Sequence, residues 1–169
     1  MARVVLRLGD DISTDIIYPG RFMATVLPTE TPQYAFADFP EFNARLKKGE
    51  IPAGSIVVAG KNFGCGSSRE QAASTLKGHE LVIVAKNFAR IFLQNAINLG
   101  LKVVVCPEIE AEEGDELEIL PDKIINRTSG KEFRVEPLPK ARQAIIDAGG
   151  LIPYTRQRLL EKAASRKKV

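Results

Sequence analysis

Tryptophan is absent from the 169 residues, histidine occurs once, at His79, and cysteine twice, at Cys65 and Cys106. Each scarcity excludes something. A single histidine rules out a multi-histidine metal site within this chain. It also leaves a Ser-His-Asp triad only His79, which precedes Glu80 on the approach to an apolar segment and reads as a turn residue. Two distant cysteines with no CxxC exclude a zinc ribbon and a thioredoxin-like site. Two thiolates are also too few for an iron–sulfur cluster, which takes about four. Cysteine this sparse fits a reducing, cytoplasmic setting. No apolar run approaches the ~18 residues of a membrane span. The N-terminal MARVVLRLGDD lacks the apolar stretch and cleavage site of a secretion signal, so neither membrane insertion nor export is expected.

Apolar residues make up 44% of the chain and charged residues 27%, a balance that supports one core without disulfides. The net charge of +3 is unevenly spread. Arg156, Arg158, Lys162, Arg166, Lys167 and Lys168 face only Glu161, so residues 156–169 carry +5 and residues 1–155 carry −2. The expected division is a domain of residues 1–155 and a basic C-terminal tail of residues 156–169. Basicity confined to a tail argues against a nucleic-acid-binding face. RNA binding through the tail, with the chain a non-catalytic binding module, is the alternative from a different functional class.

Val4 to Leu8 reads as a strand or edge strand, and Ile12 to Arg21 as a loop. Phe22 to Pro52, with Pro28, Pro32 and Pro40, reads as short helical pieces joined by loops, the pattern of a lid or binding segment. Ser55 to Gly60 and Leu81 to Ala85 are continuous apolar runs and predict buried strands. Helices are expected over Ser67 to Lys77 and from Phe88 to Leu99, the latter ended by Gly100, with a third strand over Leu101 to Cys106. This βαβαβ order predicts parallel pairing under helices. Lys61-Asn62-Phe63 after one strand is echoed by Lys86-Asn87-Phe88 after the next. Seven carboxylates between Glu108 and Glu118 read as a solvated loop. Asp115 to Leu120 predicts a strand, and Lys123 to Asn126 with Lys131 to Val135 a β-hairpin. Helices are expected over Lys140 to Ala148 and Leu151 to Lys162. The fold class is α/β, a central parallel βαβαβ portion flanked by β-hairpin material.

The segment Gly64-Cys65-Gly66-Ser67-Ser68-Arg69-Glu70 sits where open α/β sheets bind ligands, at the carboxyl end of a parallel strand. Gly64 and Gly66 allow positive φ and close approach of a substrate. N–H groups at a helix start attract anions, and Arg69 can grip a carboxylate through two bonds. Ser67-x-x-Glu70 is equally a capping box, whose only task would be to start the helix. There is no GxxxxGK[ST], and GxGxxG breaks at Arg69, so nucleotide binding has little support.

Four ordered motifs resemble one family: Gly9-Asp10-Asp11-Ile12-Ser13-Thr14-Asp15; Pro19-Gly20-Arg21; Ala59 to Glu70; and Ala85-Lys86-Asn87-Phe88-Ala89-Arg90-Ile91-Phe92. They look like the small subunit of the aconitase-type dehydratases, in the branch of isopropylmalate isomerase and homoaconitase. The similarity runs from about Val4 to Tyr154, with Ile16 and Tyr18 departing from the pattern after Asp15. It implies an aconitase swivelling domain of β/β/α architecture that is half of an enzyme. It implies a partner large subunit carrying the [4Fe–4S] cluster, no metal or cofactor on this chain, and a small hydroxy-dicarboxylate substrate. Self-association of the isolated chain is left open. It implies that Ser67 is the catalytic base, that Arg69 binds a substrate carboxylate with help from Ser68, and that Asp15 lies near them.

The family reads the substrate's variable group in the stretch after Arg21. Here that stretch is Phe22-Met23-Ala24-Thr25, which holds no cation. An alkyl-bearing substrate is expected, isopropylmalate first. Methylmalate/citraconate, 2,3-dimethylmalate and homoaconitate are the alternatives, and core packing is the structural alternative for these four residues.

Overall fold

The computed structural model describes residues 1–167. Lys168 and Val169, at the end of the basic tail, lie outside the described residues. Among the described residues one sheet contains β1 (Ala2–Arg7), β2 (Ile56–Ala59), β3 (Val82–Ala85), β4 (Lys102–Val105), β5 (Glu116–Ile119), β6 (Lys123–Asn126) and β7 (Glu132–Arg134). Their spatial order is β4-β3-β2-β1-β5-β6-β7. The helices are α1 (Thr14–Ile17), α2 (Pro40–Lys47), α3 (Glu70–Gly78), α4 (Arg90–Leu99), α5 (Lys140–Asp147) and α6 (Leu151–Lys167). No helix among these residues is long and apolar enough to cross a membrane.

β1 to β4 pair in parallel; the connection from β1 to β2 contains α1 and α2, and the crossovers from β2 to β3 and from β3 to β4 contain α3 and α4. Every residue of β2 and β3 is buried, which is why both read as unbroken apolar runs. Side chains alternate across the strand, and each face finds its own partner. Val57, Ala59, Ile83 and Ala85 pack with Ala72, Ala73 and Leu76 of α3 and Phe92, Ala96 and Ile97 of α4. Ile56, Val58, Val82 and Val84 pack instead with Leu117, Ile124 and Phe133 of the antiparallel strands. Burial of each of the larger side chains contributes about 1.5–3 kcal/mol. The result is three layers, β/β/α.

Several expectations are corrected. β1 is no edge strand: it pairs in parallel with β2 and antiparallel with β5, and joins the two halves of the sheet. The hairpin material lies on one side of it only. Ile12 to Arg21 is not all loop. Ser13 Oγ accepts from the Ile16 N–H at 3.3 Å and starts α1, and Gly20–Phe22 forms a 3-10 turn. α4 begins at Arg90, two residues later than expected. α6 is exposed along nearly all its length, passes through the 155/156 position without a break, and extends past Lys162 to Lys167. The acidic stretch is solvated, with Glu110, Glu112, Glu116 and Glu118 in ion pairs with Lys131, Arg7, Arg3 and Arg127.

Candidate active site

Three loops meet at the carboxyl ends of β1, β2 and β3. Gly64 N–H donates to Ile12 O at 2.7 Å and Thr14 N–H to Cys65 O at 2.8 Å, which continues the parallel pairing past the strands. On the other side Phe63 N–H donates to Asn87 O at 3.2 Å and Ala89 N–H to Phe63 O at 2.9 Å. Side chains reinforce this. Asp10 Oδ1 accepts from Lys61 N–H at 2.7 Å, and Asn62 Nδ2 donates to Asp11 Oδ1 at 3.0 Å. Asn87 Oδ1 accepts from Asn62 N–H. The repeated Lys-Asn-Phe thus marks matching positions in adjacent loops, where Phe63 and Phe88 are bridge partners.

Gly64 and Gly66 both have positive φ, +85° and +99°. At Gly64 a β-carbon would also fall on the Phe92 side chain, so this position closes the loop onto α4. The turn delivers Ser67 and Ser68 to the surface, both exposed.

Ser67 does not cap α3. The helix starts at Glu70 with Arg69 as its N-cap, and no side chain caps it. Ser67 instead offers its carbonyl to Thr14 Oγ1 at 3.0 Å and to the Arg69 N–H at 2.8 Å. Its hydroxyl lies 3.4 Å from Thr14 Oγ1. The Ser67–Glu70 capping box is therefore absent, because the chain turns sharply after Ser67 and enters the helix two residues late.

Arg69 has a mostly buried side chain, 19% exposed. Its Nη1 donates to Asp15 Oδ1 at 2.7 Å and to Tyr18 O at 3.2 Å. Asp15 Oδ1 also accepts from the Gly20 N–H at 2.8 Å. The Arg69 hydrogen bond, then the Gly20 amide, hold the Asp15 carboxyl below the usual aspartate range. A fixed guanidinium beside an exposed serine can orient a carboxylate and present its neighbouring carbon to an oxygen base.

The stretch after Arg21 splits. Phe22 turns inward, stacked on Tyr34 with ring centroids 4.0 Å apart, so core packing is its local role. Thr25 is half-buried, while Met23 and Ala24 are exposed. Gln71, in the first turn of α3, donates to Met23 O at 3.3 Å and ties the turn to the Arg69 side of the site. Arg21 itself is committed elsewhere: Nη2 and Nη1 reach the two Asp38 carboxylate oxygens at 2.6 and 3.3 Å.

The sequence reading gave no contact role to Thr14, Tyr18 or Gln71. Each acts through a partner distant in the chain or through a main-chain carbonyl, and no spacing signals that. His79 accounts for no chemistry here, since its Nε2 lies 2.7 Å from Pro32 O at the end of α3.

The residues present do not fit an iron–sulfur cluster. Cys65 is half-buried beside Ser13. Cys106 is buried between the sheet layers, where its thiol donates to Arg134 O at 3.3 Å and burial pushes its pKa up to about 11. No group of three or more His, Cys, Asp or Glu among the described residues could hold a metal ion.

The profile of the aconitase C-terminal domain family matches residues 12–108. The chain belongs to that family. It is 44% identical over 161 residues to the 3-isopropylmalate dehydratase small subunit of Methanosarcina mazei, covering 92% of this chain and 96% of that protein. It is 43% identical over 162 residues to 3-isopropylmalate dehydratase small subunit 1 of Archaeoglobus fulgidus, covering 93% and 97%. The crystal structure of 3-isopropylmalate dehydratase (leuD) from Methanocaldococcus jannaschii superposes with a TM-score of 0.85 at 36% identity, covering 96% of this chain and 97% of that one. The aconitase swivelling fold implied by the four motifs is the fold found, and the chain is a subunit of an aconitase-type dehydratase.

Proposed function

We propose that this chain, with an iron–sulfur large subunit, interconverts 2- and 3-isopropylmalate by removing and re-adding water, a step of leucine biosynthesis. Support comes from the relatives' shared name and from one local observation: an exposed Ser67 released from capping, two residues from an Arg69 held by Asp15.

In this reading Arg69 and Ser68 bind the substrate carboxylate next to the carbon that loses its proton. Ser67 Oγ, as the oxyanion, takes that proton, the C–H electron pair becomes the C=C bond, and the C–O bond on the neighbouring carbon breaks with loss of hydroxide. A serine hydroxyl is a poor base unless its oxyanion is stabilised. The Arg69 charge and the nearby start of α3 supply positive potential on this side of the site. Asp15 keeps the guanidinium in place. The cluster is the large subunit's contribution, since this chain's cysteines cannot form one. The setting is the cytoplasm, consistent with two free cysteines.

Isopropylmalate is favoured over a tricarboxylate by the turn after Arg21. Residues 22–25 carry no cation, and Arg21 is occupied by Asp38. A third carboxylate entering there would lose water without a partner, a cost of several kcal/mol.

Reconstitution is the test. The purified chain should be colourless and inactive alone, and should restore isopropylmalate dehydration, followed by absorbance of the unsaturated diacid, when its large subunit is added. Turnover by this chain alone, or none by the pair, would refute the reading.

A further inference from the structure

Tyr18 stands between the two halves of the proposed site. It follows α1 directly and is fully buried. Its main-chain carbonyl accepts from Arg69 Nη1 at 3.2 Å. Its phenol donates to Phe22 O at 2.9 Å and lies 3.2 Å from Thr25 O. One residue therefore touches the carboxylate-binding arginine through its backbone and the turn 22–25 through its side chain. The phenol's surroundings are otherwise aromatic: the Tyr34 and Phe22 rings lie edge-on at 6.0 and 6.4 Å. With the two turn carbonyls withdrawn, the buried hydroxyl would be left without a partner, so the turn and the phenol hold each other. Burial also raises the phenol's pKa, which keeps it a donor across the neutral range.

We propose that Tyr18 is a specificity-positioning residue: its phenol clamps the turn Phe22–Thr25 at a set distance from Arg69, and thereby fixes the space for the substrate's alkyl branch. This rests on the reading that Arg69 binds a substrate carboxylate and that Met23 and Ala24 face the branch. An apolar pocket separates substrates differing by one methylene by about 10- to 200-fold, and only while its walls stay put. The wall here is two exposed residues on a four-residue turn. Its own main-chain bonds are Met23 N–H to Gly20 O and Thr25 N–H to Phe22 O, Phe22 anchors one end on Tyr34, and the side-chain bonds to its carbonyls come from Tyr18 and Gln71.

The variant is Tyr18→Phe, which keeps the ring, its aromatic neighbours and the carbonyl that receives Arg69, and removes only the hydroxyl. Two measurements are made. Hydrogen exchange on the full isolated chain should show faster exchange at Met23, Ala24 and Thr25 with β2 and β3 unchanged. In the reconstituted pair, the ratio of kcat/KM for isopropylmalate to that for methylmalate should fall about three- to tenfold, the span expected for one lost hydrogen bond. The fall should come from a higher isopropylmalate KM with kcat little altered. Unchanged exchange over residues 23–25 would overturn the proposal. So would an equal loss on both diacids, which would make Tyr18 a core residue only. A wild-type pair that turns over neither diacid would refute the substrate reading and the proposal together, before any variant is compared.

Discussion

Asp15 and Arg69 are 54 positions apart in the chain and meet at 2.7 Å, Oδ1 to Nη1. The same Oδ1 holds the Gly20 amide at 2.8 Å, so a single carboxylate oxygen ties the arginine of the Ser67 motif to the entrance of the turn after Pro19. A β-carbon at Gly20 would come within 3.3 Å of both Asp15 Oδ1 and Arg69 Nη2, which shows how closely the three groups are packed.

Asp15→Asn should raise the KM for isopropylmalate more than it lowers kcat, because Arg69 loses its anchor and not its charge. It should also change the acid side of the stability profile. The Asp15 carboxyl is held below its ordinary value of about 3.9, chiefly by Arg69. A depressed folded-state pKa contributes stability that is fully present above the unfolded value and is lost as pH falls through the folded one. Denaturant midpoints measured from pH 7 downward should therefore show wild type above the variant at neutral pH, with the two converging below pH 3.9. A gap that widens on acidification would contradict the pairing.

Ser67→Ala should lower kcat of the reconstituted pair by about 10²- to 10⁴-fold, the range for a lost general base. Its effect on folding should stay within about 0.5 kcal/mol, as for an exposed side chain, since no helix cap is removed and the hydroxyl's contact with Thr14 Oγ1 is long, 3.4 Å. Denaturation of the isolated chain checks the second half. A loss near 1 kcal/mol or more would mean that the hydroxyl carries a structural bond after all.

Gly64→Ala and Gly54→Ala make a matched pair. The two glycines have nearly the same φ, +85° and +84°. Beside Gly54 an added β-carbon meets nothing, whereas beside Gly64 it meets Phe92. Gly54→Ala should cost about 1–2 kcal/mol, the left-handed penalty alone. Gly64→Ala should cost about 1–3 kcal/mol more through overpacking. Equal costs by thermal or urea unfolding would show that the Phe92 contact yields freely.

Ala24→Arg should shift the kcat/KM ratio from isopropylmalate toward homoaconitate, while Ala24→Leu should not. Ala24 is exposed, so either side chain can be added without disturbing the core. Competition of the two substrates over the reconstituted pair reads the outcome. A wild-type pair that already prefers the tricarboxylate would defeat the apolar-turn account.

Much of this protein was legible in its residues. The apolar runs Ser55 to Gly60 and Leu81 to Ala85, with helical segments between and after them, were enough for a parallel layered sheet, because a strand buried on both faces has no polar side to show. The four motifs were enough for the family. Gly64 and Gly66 could be read as permitting positive φ, and both adopt it. What only the tertiary structure decided are matters of partners far apart in the chain. Ser67 and Glu70 had the spacing of a capping box, and local spacing cannot reveal that Thr14 and the turn at Ser67 delay the helix to Glu70. Whether β1 was a central or an edge strand stayed open because alternation does not say how many neighbours a strand has; β5 arrives from more than a hundred residues away. Phe22 and Ala24 were equivalent as members of an uncharged stretch until Tyr34 drew one ring inward and left the other residue in solvent. Propensity and periodicity act over a few residues, whereas pairing of hydrogen bonds and exclusion of water are settled only when distant segments meet.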